Sequence, residues 1–350
     1  RTGHSTYRLN DAVSSLMLGN LSQARKFVAL GIGGSVYHAT TTYFSLPLWD
    51  ATAPMTWIVA FFVYDFCYYW LHRMGHERQI LWAAHVAHHQ SEEYNLSTAL
   101  RQTSSGFLLG WVFYLPMFAL GIPAEVVVTV GALNLLYQFW VHTRYIPELG
   151  WFEWFFVSPS NHRVHHAQND QYMDRNYGGV FIIWDRLFGT YQRELAEIPC
   201  IYGIRGPIKS WNPLVALTHV YRDMAHDIYR TQSWASRFKV LWARTGWQPA
   251  DVAETHPRHK NDLSIFEKYD PKVSGWMQLY AVINLMIMTS LSLFGDYQAV
   301  GTGSVLGWQL IILMVWTGLM IAWALEGRAN RAFWLFDACR VALLLIFCST

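Results

Sequence analysis

Apolar residues run along this chain in long blocks, separated by short turns and by two extended polar stretches. Blocks at about 27–49, 55–71, 106–120, 124–141, 275–294 and 304–325 approach the length that an apolar helix needs to cross a bilayer. The turns at 50–54, 121–124 and 296–303 are short. A last apolar segment, 332–347, contains Asp337 and Arg340. Ahead of the first block, Leu9, Val13, Leu16 and Met17 recur on one helical face, which predicts an interfacial helix within residues 1–26. The stretches 72–105 and 143–273 are too polar to cross a membrane, and the second predicts amphipathic helices between Asn212 and Lys268. The pattern predicts an all-α protein, a polytopic membrane helical bundle with a polar helical cap. Residues 1–270 would supply four spans and the cap, and residues 271–350 the C-terminal spans.

Composition sharpens this picture. Hydrophobic residues make up 53% and charged residues 14%, against about 25% charged in an average soluble protein. A net charge of +2 and the lack of any nucleic-acid motif argue for a bilayer and against a polyelectrolyte partner. The four cysteines form no C-x-x-C pair, so neither a disulfide framework nor a thiolate site is expected. The chain begins with Arg1 and ends within an apolar segment, which suggests trimming at one or both ends. Of 26 Lys and Arg residues, 25 fall on one side of the expected topology, and only Arg340 lies inside a span. The positive-inside rule makes that side cytoplasmic, as in the endoplasmic reticulum or a bacterial inner membrane.

Nine of the 15 histidines lie on that same side, within residues 72–166. They form an H-x-x-x-H pair (His72, His76), an H-x-x-H-H cluster (His85, His88, His89), a lone His142, and a second H-x-x-H-H cluster (His162, His165, His166). Helical residues three and four apart share a face, so each cluster is expected to present its rings together. Neutral imidazole ligates iron, zinc and copper. Nine ligands are too many for one tetrahedral ion and suit two metals with open positions.

Carboxylates near such ligands could orient the rings and offset charge, which makes Asp65, Glu77 and Asp185 candidates. Asp65 would instead bond a neighbouring helix with equal ease. His38 is expected to be buried and hydrogen-bonded, and His219, His226, His256 and His259 to be surface residues. Gly31, Gly33 and Gly34 are expected to allow close helix packing.

Two irons at the mouth of a helical bundle fit dioxygen activation and attack on an unactivated C–H bond of a lipid. A metal transporter would place its ligands at the bilayer midplane, so a non-catalytic metal-binding or transport protein is a remote alternative. A zinc hydrolase needs only three ligands and a water, and no G-x-S-x-G elbow is present.

The three clusters resemble those of the fatty acid hydroxylase/sterol desaturase superfamily of non-haem di-iron enzymes. Within it, the runs Leu9–Ala12, His88–Gln102, Gln138–Thr143, Asn176–Val180 and Trp184–Thr190 are similar to the alkylglycerol monooxygenase branch and its bacterial relatives. The resemblance covers residues 8–250, and the last three spans match only loosely. It implies iron, dioxygen as co-substrate, and tetrahydrobiopterin as reductant. The implied reaction hydroxylates the ether-linked carbon of an alkylglycerol, releasing a fatty aldehyde and a glycerol. It maps metal ligands onto the nine clustered histidines and a functional glutamate onto Glu77. Asn161 departs from the family pattern, since relatives often carry another His there, which loosens the choice of branch and substrate. No haem-binding loop of a fused cytochrome is present, so electrons would come from a pterin or a separate donor. The nearest rival is a sterol or fatty-chain hydroxylase or desaturase served by an external electron donor.

Overall fold

The computed structural model describes residues 5–24, 26–294 and 305–349, and all its regular elements are helices. No strand occurs among the described residues beyond two isolated bridges, Phe156 with Phe181 and Ala167 with Tyr202. Helices α1 (Leu9–Gln23) and α2 (Lys26–Tyr43) precede the long α3 (Pro54–Glu77). Helix α3 starts at a proline, whose missing N–H costs nothing in a first turn. Its 24 residues carry the second apolar block directly into His72 and His76. Three short helices follow, α4 (Gln79–Ala83), α5 (Val86–His89) and α6 (Leu96–Ala99).

The third apolar block is broken into α7 (Phe107–Gly110), a 3-10 turn at Trp111–Tyr114, and α8 (Leu115–Ala119). Pro116 lies in this broken stretch and can donate no helical N–H. The turn that follows needs Gly121, at φ +77°, because a Cβ there would lie 2.6 Å from the Pro47 carbonyl oxygen. The fourth block is α9 (Ala124–Trp140). The polar cap comprises α10 (Pro159–His165), α11 (Ile183–Leu187), α12 (Pro213–Arg230), α13 (Trp234–Trp242) and α14 (Ala250–Thr255). The chain ends with α15 (Gly275–Phe294), α16 (Val305–Leu325) and α17 (Arg331–Ser349).

Among the described residues, two helical stretches, Gly275–Leu293 and Gly307–Leu325, are long and apolar enough to cross a membrane. Phe107–Ala119 and Ala124–Trp140 are apolar but shorter. The six expected spans therefore reduce to two clear ones, consistent with a membrane helical protein. Helix α2 is diluted by Gly, Ser, Thr and His, α3 carries Asp65 and its histidines, and the third block is interrupted.

Helix α1 differs from the expected interfacial helix. Its Val13, Met17 and Leu21 are buried with Ala281, Leu285 and Met288 of α15 and Leu310 of α16. The opposite ends of the sequence thus share one core. The apolar stripe of α1 faces protein because α15 and α16 present matching apolar faces along it. A second core joins Ala60 of α3, Met117 and Phe118 of α8, and Val126 and Val130 of α9. A third, in the cap, joins Ala83, Met224 and Val240. In α17 the buried Arg340 pairs with Asp337 at 2.6 Å and donates to Asn284 of α15 and Thr317 of α16. A charge inside an apolar helix group persists because each of these partners satisfies it. Gly31, Gly33 and Gly34 have nothing within 4 Å of an added Cβ, so they mediate no close packing among the described residues.

Candidate metal centre

The nine clustered histidines meet in two groups. His72, His76, His85, His89 and His165 form one, and His88, His142, His162 and His166 the other. Within each group the available nitrogens lie within 4.8 Å of one another. The expectation that each cluster shares one face is corrected here. Helix α5 is one turn long, and His85 lies outside it as its N-terminal cap. Neighbouring helical residues diverge by about 100°, so His88 and His89 point to different groups. His165 and His166 separate in the same way at the end of α10. Each H-H doublet thus feeds both groups and ties them into one centre.

Main-chain carbonyls, rather than the expected carboxylates, accept from four of the nine rings. Nδ1 of His72 donates to the Tyr177 carbonyl at 2.8 Å, and Nδ1 of His88 to that of Arg101 at 2.9 Å. Nδ1 of His142 donates to the Gln138 carbonyl at 2.7 Å, and Nδ1 of His165 to that of Arg175 at 3.0 Å. A carbonyl can only accept, so the proton sits on Nδ1 and Nε2 keeps its lone pair for a metal.

Nε2 of His72, His76, His165 and His166 is buried without a hydrogen-bond partner. Each orphaned nitrogen costs about 1–3 kcal/mol, a liability that coordination removes. Nε2 atoms of His85 and His89 stand 3.1 Å apart, those of His142 and His162 3.2 Å, and those of His88 and His142 3.4 Å. Such spacing suits neighbouring ligands about 2.1 Å from one ion. Burial lowers the His72 pKa to about 3 and that of His88 to about 4, against the pull of their main-chain partners. The other seven are also pushed well below the usual histidine range by burial. All nine are therefore neutral near pH 7, the form that binds metal. The residues present fit two ions bound by imidazole.

The three candidate carboxylates do not touch these rings. Asp65 accepts from the main-chain N–H of Val180 (2.8 Å) and Phe181 (3.0 Å), from Trp184 Nε1 (3.0 Å) and from Asn134 (2.7 Å). Its role is to pin the 177–184 segment against α3. Gly179 permits this, because a Cβ there would lie 2.8 Å from Asp65 Oδ1. Asp185 accepts from the N–H of Tyr177 (2.7 Å) and Gly178 (2.8 Å) and from Thr190 Oγ1 (2.6 Å). Burial raises its pKa to about 6 against these bonds. Asp185 thus holds Tyr177, whose carbonyl accepts from His72. Glu77 turns away to Arg73, four residues earlier, at 2.8 Å. Arg101, Tyr177, Gln138 and Arg175 contribute a carbonyl oxygen, which no side-chain pattern announces. Arg101 lies twelve residues after His89. It is fully buried and donates to the Ala87 carbonyl and to Gln90, bracing α5.

Of the remaining histidines, His38 is exposed on α2 rather than buried. His219 is buried rather than superficial, whereas His256 and His259 are exposed and His226 is half-buried.

A cavity of about 1000 Å³ opens onto both groups, reaching His72 and His85 of one and His88 and His142 of the other. Its lining includes the apolar Leu71, Leu81, Leu135, Leu136 and Phe139, and uncharged polar side chains from α1, α15 and the segment after α6. Among the described residues no Asp, Glu, Lys or Arg lines it.

Residues 57–190, which contain the whole histidine set, match the fatty acid hydroxylase family model. The chain is similar to the alkylglycerol monooxygenase of Homo sapiens, at 35% identity over 97% of this chain and 76% of the relative. That of Danio rerio is 33% identical over 97% of this chain and 75% of the relative. That of Xenopus tropicalis is 38% identical over 81% of this chain, and the match spans 63% of its length. No solved structure matches the chain. A metal-ligand set, a lipid-sized cavity and relatives alike across nearly the whole length lead to one assignment: the chain belongs to the alkylglycerol monooxygenase family.

Proposed function

We propose that this protein is a membrane di-iron monooxygenase that cleaves the ether bond of alkylglycerols. The observation that carries the reading is the convergence of two histidine groups on one cavity whose described lining is uncharged and largely apolar. His72, His76, His85, His89 and His165 would hold one iron, and His88, His142, His162 and His166 the other. Bound iron supplies the activation of dioxygen that no side chain provides.

The chain's own residues do the rest. The Tyr177, Arg101, Gln138 and Arg175 carbonyls hold four of the rings, His72, His88, His142 and His165, in one tautomer. The leucines and Phe139 of the cavity take the alkyl chain and exclude water from the reacting carbon. One oxygen atom enters the ether-linked C–H bond, and the other leaves as water with two electrons and two protons from a reductant. The resulting hemiacetal passes its hydroxyl proton to the ether oxygen as that C–O bond breaks, giving an aldehyde and glycerol. A tetrahydropterin is the proposed two-electron donor, with a separate protein donor as its substitute. Glu77, paired with Arg73 beside His76, is not assigned a step.

The same proposal makes the protein integral and multi-pass. Its histidines would face the cytoplasmic side of the endoplasmic reticulum or a bacterial inner membrane, where 25 of the 26 Lys and Arg residues would also lie. Residues 1–270 carry the metal centre, and residues 271–350 add spans that close over α1.

The test is iron content of the purified protein together with oxygen uptake on an alkylglycerol and tetrahydrobiopterin. About two irons per chain with pterin-dependent aldehyde release is the expected result. Two irons with no response to pterin, and oxidation of a sterol or fatty chain instead, would overturn the substrate assignment. One zinc, or no oxygen uptake after iron loading, would overturn the oxygenase reading.

A further inference from the structure

Residues outside the matched hydroxylase segment contribute to the cavity beside the metal centre, and their chemistry is specific. Asn20 and Gln23 come from α1 and Thr289 from α15, joined by Gln102 after α6. Asn20 donates its amide N–H to Thr289 Oγ1 at 2.8 Å, and Gln102 donates its own to the Ala99 carbonyl at 3.0 Å. Gln23 makes a longer bond to the Gly19 carbonyl at 3.4 Å. With one N–H of each amide engaged within the protein, the three amide oxygens remain as acceptors on one wall.

This wall is close to the metal ligands. Gln102 directly follows Arg101, whose carbonyl holds His88. Helix α1 is pressed against the same segment at Gly19, where a Cβ would collide with the Leu100 carbonyl oxygen. In an alkylglycerol the reacting carbon is separated from the free hydroxyls by only the ether oxygen and the glycerol backbone. Groups that recognise those hydroxyls must therefore stand near the metals, as these do.

Resting on the proposed reaction, we infer that Asn20, Gln23, Gln102 and Thr289 form the headgroup subsite. It accepts hydrogen bonds from the two free hydroxyls of a neutral glycerol ether and thereby selects the substrate. Among the described residues no Lys or Arg lines the cavity, so the partners this wall offers a headgroup are uncharged. The alkyl chain extends the other way, past Leu135 and Leu136. These are 61% and 67% exposed, so that side of the cavity borders the protein's apolar surface.

The experiment compares an alkylglycerol with the same ether capped as its dimethyl derivative. Binding is measured on the iron-loaded protein, anaerobically and without reductant, and then turnover is measured. Wild type should prefer the free diol by at least tenfold in binding and in KM. Gln102→Met and Asn20→Leu should erase most of that preference through KM while keeping wild-type iron content. Thr289→Ser, which retains a hydroxyl, should keep it. Equal binding of diol and capped ether by wild type would overturn the inference, as would an undiminished preference in iron-replete Gln102→Met. A wild-type protein that oxidises another lipid but no alkylglycerol would instead overturn the reaction on which the inference rests. If Asn20→Leu loses iron or folds poorly, Gln102→Met alone decides the matter, because its side chain is replaced by one of similar length.

Discussion

Replacing Asp185 with asparagine tests whether the metal centre is oriented from outside its ligand set. In the native protein the two carboxylate oxygens divide the work. Oδ1 accepts from the Tyr177 N–H and Thr190 Oγ1, and Oδ2 accepts from the Gly178 N–H. An amide has one oxygen, so in either orientation its NH₂ faces a main-chain N–H. At least one charge-assisted bond, worth about 1.5–3 kcal/mol, is lost, and the N–H left unpaired adds about 1–3 kcal/mol. The total, about 2.5–6 kcal/mol, is a large part of a stability of about 5–15 kcal/mol. Much of the cost falls on Tyr177, whose carbonyl holds His72 at 2.8 Å. Loosened support of a ligand commonly weakens metal binding by about 10–100-fold. Asp185→Asn should therefore melt lower and lose iron to a competing chelator far more readily. At saturating iron it should recover most of its turnover. A variant that keeps its melting temperature and iron affinity but has lost turnover would refute this reasoning and return Asp185 to the catalytic step.

Four further outcomes follow from the geometry. His88→Ala should leave an iron spectrum like that of His142→Ala, and His89→Ala one like that of His76→Ala, because the adjacent residues serve different groups; identical Mössbauer signatures for His88→Ala and His89→Ala would contradict the division. Gly179→Ala should destabilise the protein by about 1–3 kcal/mol in thermal melts, because its Cβ would overlap Asp65 and Tyr68. Gly31→Ala, with open space around it, should be neutral or stabilising by up to about 1 kcal/mol. Arg340→Leu should cost about 3–5 kcal/mol by stranding Asp337 in the C-terminal helices, and the Arg340→Leu, Asp337→Leu double variant should recover much of that loss in a detergent melt.

Read alone, the sequence identifies the nine histidines proposed as metal ligands, the all-helical character, the family and the long apolar helices near the C-terminus. These are readable because residue chemistry and apolar periodicity are local. The nine histidines and the block from 275 to 294 need no partner to be recognised. Tertiary structure decided how the parts meet. His88 and His89 separate because successive residues of a helical turn point in different directions, and only the position of α3, α9 and α10 around α5 says which group each one joins. The orienting groups at Tyr177, Arg101, Gln138 and Arg175 are main-chain carbonyls, which every residue possesses, so no side-chain pattern announces them. Asp65 and Asp185 looked like partners for the rings because they are carboxylates close to histidines in sequence, yet their acceptor oxygens are taken by the N–H groups of residues 177–184 and by other side chains. Helix α1 looked amphipathic enough for a lipid surface, and only the placement of α15 and α16 against it turned its apolar stripe into core and Asn20 into a wall of the cavity.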